Sequence, residues 1–167
     1  MKLYVMRHGP AEDHAASGVD ADRALTATGR ERVRGVAKAL VAAGEEPLRI
    51  VTSPLVRAVQ TAEIVAMVTK LGDRGGSVET RPEMAPGGDG ASLAYRLAAE
   101  GGKRVMLVGH EPDLSGLVAK IVGGFLQPFD KAMVVAVHPL AQGAHGRLRF
   151  VLDPKSLKID LDPGRGN

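Results

Sequence analysis

Short apolar runs alternate along this chain with longer segments whose apolar residues recur at helical spacing. The runs that predict strands are, in order, 2–7, 48–52, 77–80, 104–108, 131–138 and 147–152. Helices are predicted from Thr26 or Thr28 to Gly44, and at 54–71, 91–100 and 112–122. This alternation favours an α/β three-layer sandwich, in which helices flank a mostly parallel central sheet that ends in a late antiparallel hairpin.

Side chains at the predicted helix starts suggest how two of the helices begin. Thr28 and Glu31 have the spacing of a capping box, and Thr26 is an alternative N-cap. Ser53 followed by Pro54 predicts an N-cap and a first helical residue for the second helix.

The length of 167 residues predicts one domain over residues 1–160, followed by a tail at 161–167 that we expect to fray. The chain has no cysteine, which excludes disulfides, thiolate nucleophiles and cysteine zinc sites. Its first residues do not resemble a signal peptide, and no run is long enough to span a membrane. We therefore expect a cytoplasmic protein that does not bind membranes, and we expect it to be a monomer.

Charge and aromatic content bear on the partners. The net charge is only +3, from 22 basic and 19 acidic residues, and aromatic residues make up 3% of the chain. A protein with so few aromatic side chains has little on which to stack bases, so we expect no nucleic-acid partner. Anionic substrates and acidic proteins are better candidates.

Residues with chemical potential follow three of the predicted strands. His8 comes at the end of the first strand beside Arg7, and His110 follows the strand at 104–108. Arg57 lies in the first turn of the helix after the strand at 48–52. Because ligands bind outside the carboxyl ends of strands in open α/β sheets, these side chains are predicted to share one crevice.

Such a set would favour phosphate. Two guanidinium groups match phosphate oxygens as planar forks, and helix N-termini add main-chain donors. Neighbouring cations would keep an imidazole uncharged and therefore nucleophilic. A second imidazole could donate a hydrogen bond to the phosphoryl oxygens as charge moves.

The motifs resemble those of the histidine phosphatase, or phosphoglycerate mutase-like, superfamily. The matching segments are 5–9 (Val-Met-Arg-His-Gly), Leu25-Thr26 with Gly29, 52–62 (Thr-Ser-Pro-Leu-Val-Arg-Ala-Val-Gln-Thr-Ala) and 108–111 (Val-Gly-His-Glu). The resemblance implies a nucleophile at His8, phosphate clamps at Arg7 and Arg57, and phosphate binding by His110 and by the backbone of Glu111. It also implies that neither a metal nor another cofactor is needed.

One departure narrows the branch. Many members of the superfamily carry a catalytic acid in a motif that resembles Pro-Glu-Leu-x-Glu, but Pro86 stands at that place here and Glu83 matches only the first glutamate. The pattern resembles the short SixA-type phosphohistidine phosphatases. Imidazole is a better leaving group than an alkoxide, so a P–N bond can be cleaved without an acid that protonates the leaving group. An open site on a chain this short also suits a protein substrate.

These motifs predict a phosphatase that acts on a phosphohistidine-bearing protein of a phosphorelay or phosphotransfer system. The alternatives are a phosphatase of small phosphate monoesters and a phosphate-binding module without turnover, and mutase activity is the weakest candidate. Three accessory residues are considered. Glu12 and His14 belong to a long polar loop at 9–25, of the kind that often carries function, and Glu83 could hold a nearby loop or a site arginine in an ion pair.

Overall fold

The computed structural model of the protein describes residues 1–125, 127–141 and 143–161. The strands are β1 (Lys2–Arg7), β2 (Arg49–Thr52), β3 (Ser77–Thr80), β4 (Arg104–Gly109), β5 (Val134–His138), β6 (Arg147–Leu152) and β7 (Ile159–Asp160). The helices are α1 (Ala27–Ala42), α2 (Val56–Val68), α3 (Gly90–Ala99) and α4 (Asp113–Val122). Short 3-10 turns lie at Asp20–Asp22, Gly72–Arg74 and Pro82–Met84.

The sheet has a parallel half and an antiparallel half. Its strand order is β3-β2-β4-β1-β5-β6-β7, and the first four strands of that order are parallel to one another. β5 runs antiparallel to β1, and β6 and β7 continue antiparallel from it. The predicted α/β architecture and the late hairpin are therefore confirmed. The sheet is mixed, with three parallel and three antiparallel strand pairs, because the antiparallel pairing continues to β1 on one side of the hairpin and to β7 on the other.

Alternate side chains of the five central strands, β2, β4, β1, β5 and β6, enter two separate cores, one on each face of the sheet. Tyr4 and Met6 of β1 pack on the face covered by α1 and α2. Leu3 and Val5 pack on the opposite face, which α3 and α4 cover. All four side chains are fully buried. This period-2 alternation makes the fold a three-layer sandwich.

The segment that precedes α2 differs from the sequence prediction. Ser53 is not an N-cap, because α2 begins at Val56 and Leu55 occupies the N-cap position without a side-chain hydrogen bond. The Ser53 hydroxyl is buried and lies 2.8 Å from a nitrogen of His110. The helix also ends at Val68 rather than near residue 71, and Lys70 follows it in the left-handed region with φ 51°. The Ser53 hydroxyl therefore binds His110 and the backbone N–H of Leu55 instead of capping α2.

The start of α1 brings the long loop against the helix. Thr26 is the N-cap, and its hydroxyl accepts a hydrogen bond from the backbone N–H of Gly29, so the capping box at Thr28 is wrong. A Cβ on Gly29 would lie 2.0 Å from the carbonyl oxygen of Pro10. Only glycine permits this approach, which fixes the chain that leaves β1 against the first turn of α1.

Two sequence expectations concern the ends and surfaces of the chain. Leu161 is exposed, and the remainder of the expected frayed tail, 162–167, lies outside the described residues. Among the residues that the structure describes, no helix is long and apolar enough to cross a membrane.

Candidate active site

Three adjacent parallel strands bring the predicted site residues to one edge of the sheet. Arg7 of β1 is paired in register with Gly109 of β4, so His8 and His110 leave neighbouring strands at the same level. β2 flanks β4 on its other side and leads into Ser53 and α2. The two imidazole rings lie 5.1 Å apart between centroids.

His8 is held as a neutral imidazole with one nitrogen available. The ring is buried, and its Nδ1 lies 2.7 Å from the carbonyl oxygen of Gly9. A carbonyl only accepts, so Nδ1 carries the proton and Nε2 keeps its lone pair. Burial is the main cause that lowers the pKa of His8 to about 3, and the charges of His110, Arg57 and Arg7 lower it further. The hydrogen bond to Gly9 opposes this shift without cancelling it.

His110 offers a buried donor to the same crevice. Its Nε2 lies 2.8 Å from the oxygen of the Ser53 hydroxyl. That oxygen accepts a hydrogen bond from the backbone N–H of Leu55. We assign the hydroxyl proton of Ser53 to the hydrogen bond with Nε2, which places the His110 proton on Nδ1. Burial and then the charge of Arg57 lower the pKa of His110 to about 4, so this ring is also neutral near pH 7.

Each arginine is anchored at its end by a main-chain carbonyl. Arg7 donates from Nη1 to the carbonyl oxygen of Phe129 over 2.7 Å. Arg57 donates from Nη1 to the carbonyl oxygen of Asp20 over 2.9 Å and from Nη2 to the carboxylate of Asp20 over 3.1 Å. The two guanidinium groups are therefore fixed in orientation before any ligand arrives.

Three buried nitrogens of this group have no hydrogen-bond partner in the part of the chain that the structure describes. Among the described residues, the buried side-chain nitrogens without a hydrogen bond are Arg7 Nε, Arg57 Nε, His110 Nδ1 and Arg104 Nε. Buried polar groups are rarely left unpaired, so three such atoms on side chains around His8 indicate a ligand that binds there. The two arginine Nε atoms are N–H donors, and His110 Nδ1 is a donor in the tautomer assigned above, which matches the oxygen atoms of a phosphoryl group.

The accessory residues lie outside this group of side chains. Glu12 and His14 are exposed on the loop at 9–25. The backbone carbonyl of Glu12 accepts a hydrogen bond from Arg23 within that loop. Glu83 pairs with Arg96 of α3 over 2.5 Å, so the ion pair expected for it is present but is made with an arginine outside the site.

Glu111 contributes through its carboxylate, which sequence reasoning did not anticipate. One oxygen accepts from the backbone N–H of Ser115, and the other accepts from the Ser115 hydroxyl and the backbone N–H of Phe129. The carbonyl of Phe129 is the one that anchors Arg7. The carboxylate therefore fixes residue Phe129, whose carbonyl orients Arg7, while the predicted role of the Glu111 backbone stays a prediction.

Two more contributors were missed. Asp20 holds Arg57, and the only signal in the sequence is an acidic residue in a long polar loop, a property it shares with Glu12, Asp13 and Asp22. Ser53 was assigned to a cap rather than to His110, because capping is a local pattern and its contact with His110 is 57 residues distant.

Comparison with known proteins agrees with this geometry. Residues 3–85 match the histidine phosphatase superfamily (branch 1). The chain is 34% identical over 162 residues to the phosphohistidine phosphatase SixA of Escherichia coli, covering 95% of this chain and 98% of that protein. It is 41% identical over 127 residues, or 74% of each chain, to an uncharacterised protein of Picosynechococcus.

A solved structure shows the same arrangement of the backbone. The structure of the protein histidine phosphatase SixA complexed with tungstate superimposes with a TM-score of 0.84 at 32% identity, covering 95% of this chain and all of that one. The resemblance inferred from the motifs is thus confirmed. The chain belongs to the histidine phosphatase superfamily, in its SixA-type branch.

Proposed function

We propose that this protein is a phosphohistidine phosphatase that removes a phosphoryl group from a histidine of another protein. The observation that carries the proposal is the neutral His8 beside Arg7, Arg57 and His110, whose side chains hold three buried nitrogens without a partner among the described residues. The similarity to SixA supports the same activity and a phosphohistidine-bearing protein as partner. A phosphorelay or phosphotransfer protein of the cytoplasm is the partner we infer.

The first step is attack by His8 Nε2 on phosphorus while the P–N bond to the substrate ring breaks. The electron pair of that bond goes to the substrate imidazole, which leaves as a neutral ring when its other nitrogen is protonated. Arg7, Arg57 and His110 donate to the phosphoryl oxygens, whose charge is spread over them in the transition state. Because the leaving ring is neutral, no side-chain acid has to protonate it.

The second step is hydrolysis of phosphohistidine at His8. Water attacks phosphorus, the bond to Nε2 breaks and its electron pair returns to Nε2, and both protons of the water end on the released phosphate as H₂PO₄⁻. His8 returns to the neutral form, with Nδ1–H still donating to the Gly9 carbonyl. The low pKa of His8 serves both steps, since a neutral imidazole is the nucleophile in the first and the leaving group in the second.

The test is rapid-quench trapping with a ³²P-phosphohistidine protein. We expect an acid-labile adduct on the wild-type chain, and neither adduct nor turnover with His8→Ala. An adduct that survives in His8→Ala would refute the nucleophile. Turnover of an alkyl phosphate that equals turnover of a phosphoramidate would favour a small-monoester phosphatase, and tight phosphate binding without turnover would favour a binding module.

A further inference from the structure

The carboxylate of Asp20 lies between two arginines beside the site. Its Oδ1 accepts from Arg23 Nε over 2.8 Å, and its Oδ2 accepts from Arg57 Nη2 over 3.1 Å. The carbonyl oxygen of the same residue accepts from Arg57 Nη1 over 2.9 Å. Asp20 thus contacts Arg57 twice, and the mechanism proposed above uses neither contact.

The planar guanidinium of Arg57 presents two edges, each able to grip two oxygens. The end edge consists of the N–H groups of Nη1 and Nη2 that point away from the side chain. The side edge consists of Nε–H and the hydrogen of Nη2 that lies on the same side as Nε–H. Both contacts with Asp20 use the end edge. Nε is buried and has no partner among the described residues, so the side edge is the one left for the phosphoryl oxygens.

The loop that carries Asp20 is tied down on both sides. Arg23 donates from Nη1 to the carbonyl oxygen of Glu12 over 3.0 Å, and Ala11 forms a bridge with Leu25. The backbone N–H of Leu25 donates to the side chain of Gln60 on α2 over 2.8 Å. These contacts hold Asp20 over the helix from which Arg57 extends.

We propose that Asp20 is a positioning residue that stays on the end edge of Arg57 while the side edge binds the phosphoryl group. This inference rests on the proposed function, because it assigns the oxygens of the transferred group to Arg57. Its effect is on orientation: without the Asp20 carboxylate, Arg57 rotates and its fork no longer meets two oxygens at once. Phosphoryl transfer, which depends on positioning, is more sensitive to this loss than ground-state binding of phosphate.

The experiment compares Asp20→Ala with Asp22→Ala. Asp22 is a matched control, because it lies on the same 3-10 turn and its carboxylate accepts from the Ser17 hydroxyl rather than from an arginine. Each variant removes one negative charge. We expect Asp20→Ala to lower kcat on a phosphohistidine protein by about tenfold or more, and Asp22→Ala to stay within about twofold. Asp20→Asn, whose amide oxygen still accepts from Nη2, should recover most of the loss.

Calorimetry with two inorganic oxyanions supplies a readout that a loss of folding would not mimic. Vanadate can adopt the five-coordinate geometry of phosphoryl transfer and orthophosphate cannot. Asp20→Ala should weaken vanadate binding more than orthophosphate binding, and Asp22→Ala should weaken neither.

Two outcomes would overturn the inference. If Asp20→Ala turns over as fast as the wild type, Asp20 does not position Arg57. If Asp20→Ala binds orthophosphate more tightly and turns over faster than the wild type, the Asp20 carboxylate occupies the place on Arg57 where the phosphoryl group binds, and the substrate has to displace it. Failure of the wild-type chain to hydrolyse phosphohistidine would refute the proposed function instead, and the oxyanion comparison would still test the contact between Asp20 and Arg57.

Discussion

The two arginines of the site serve the same pair of imidazoles but are held by different kinds of structure. Arg7 ends the central strand β1 and is anchored to Phe129, which is only 1% exposed. Arg57 is anchored to Asp20, whose side chain is 67% exposed on a surface loop. One clamp is thus supported by the core and the other by a loop.

The difference teaches where this site can tolerate change. The contact of Phe129 with Arg7 is backed by the Glu111 carboxylate, which also binds the first turn of α4. Arg7 can lose this anchor only if Phe129 or α4 moves out of its packed position. The support of Arg57 requires the displacement of one loop, and surface loops open at lower free energy than cores do.

The largest expected effect is the loss of either guanidinium fork. Arg7→Lys and Arg57→Lys keep the charge but cannot grip two oxygens at once, so each should lower kcat/KM by about 10²–10³-fold. Steady-state phosphate release from a phosphohistidine protein measures it. A loss under about tenfold in one variant would show that its arginine acts only through its charge.

Glu111→Ala and Asp20→Ala compare how much the anchor of Arg7 and the anchor of Arg57 contribute to the free energy of unfolding. Removal of a carboxylate that accepts three hydrogen bonds should cost about 1–3 kcal/mol of unfolding free energy, measured by urea titration. Glu111→Gln, which keeps one acceptor oxygen, should lose less. Asp20→Ala should lower the urea midpoint less than Glu111→Ala, because its carboxylate is exposed to solvent. Equal losses would contradict the contrast between core and loop.

The pKa of His110 ranks the two clamps by charge. The charges of both arginines lower this pKa, and the effect of Arg57 is larger than that of Arg7. Arg57→Gln should therefore raise the pKa of His110 above about 4 by more than Arg7→Gln does. NMR titration of the imidazole measures both shifts, and the reverse order would refute the ranking.

The same shift has a consequence for stability. The folded-state pKa of His110 lies below 6.5, so on acidification the unfolded chain binds the proton first and stability falls between pH 6.5 and about 4. Arg57→Gln brings the two pKa values closer and should make this fall shallower.

The smallest expected effect is that of Glu83. Its partner is Arg96 on α3, away from both clamps, so Glu83→Gln should change turnover by less than about twofold. A larger loss on an alkyl phosphate than on a phosphoramidate would instead assign Glu83 to the leaving group. That result would weaken the argument based on Pro86.

The clustering of His8, Arg57 and His110 was accessible from sequence because it follows from one rule of topology. Parallel neighbouring strands place their carboxyl ends together, and each of these residues follows a strand that is apolar enough to recognise. The contacts that orient them were not accessible. Asp20 could not be told from three other carboxylates of the same loop, and the choice depends on how that loop lies over α2.

By itself, the sequence determined the alternation of strands and helices, the residues at the strand ends and the chemistry those residues can perform. These are local properties, set by side-chain period and residue type. Only the tertiary structure decided that Ser53 serves His110 rather than a helix, that Glu111 acts through its carboxylate, and that Asp20 takes one edge of Arg57 while Nε on the other edge has no partner among the described residues. The physical reason is that hydrogen-bond partners far apart in the chain are selected by packing, and packing brings a buried donor and its acceptor together wherever the fold places them.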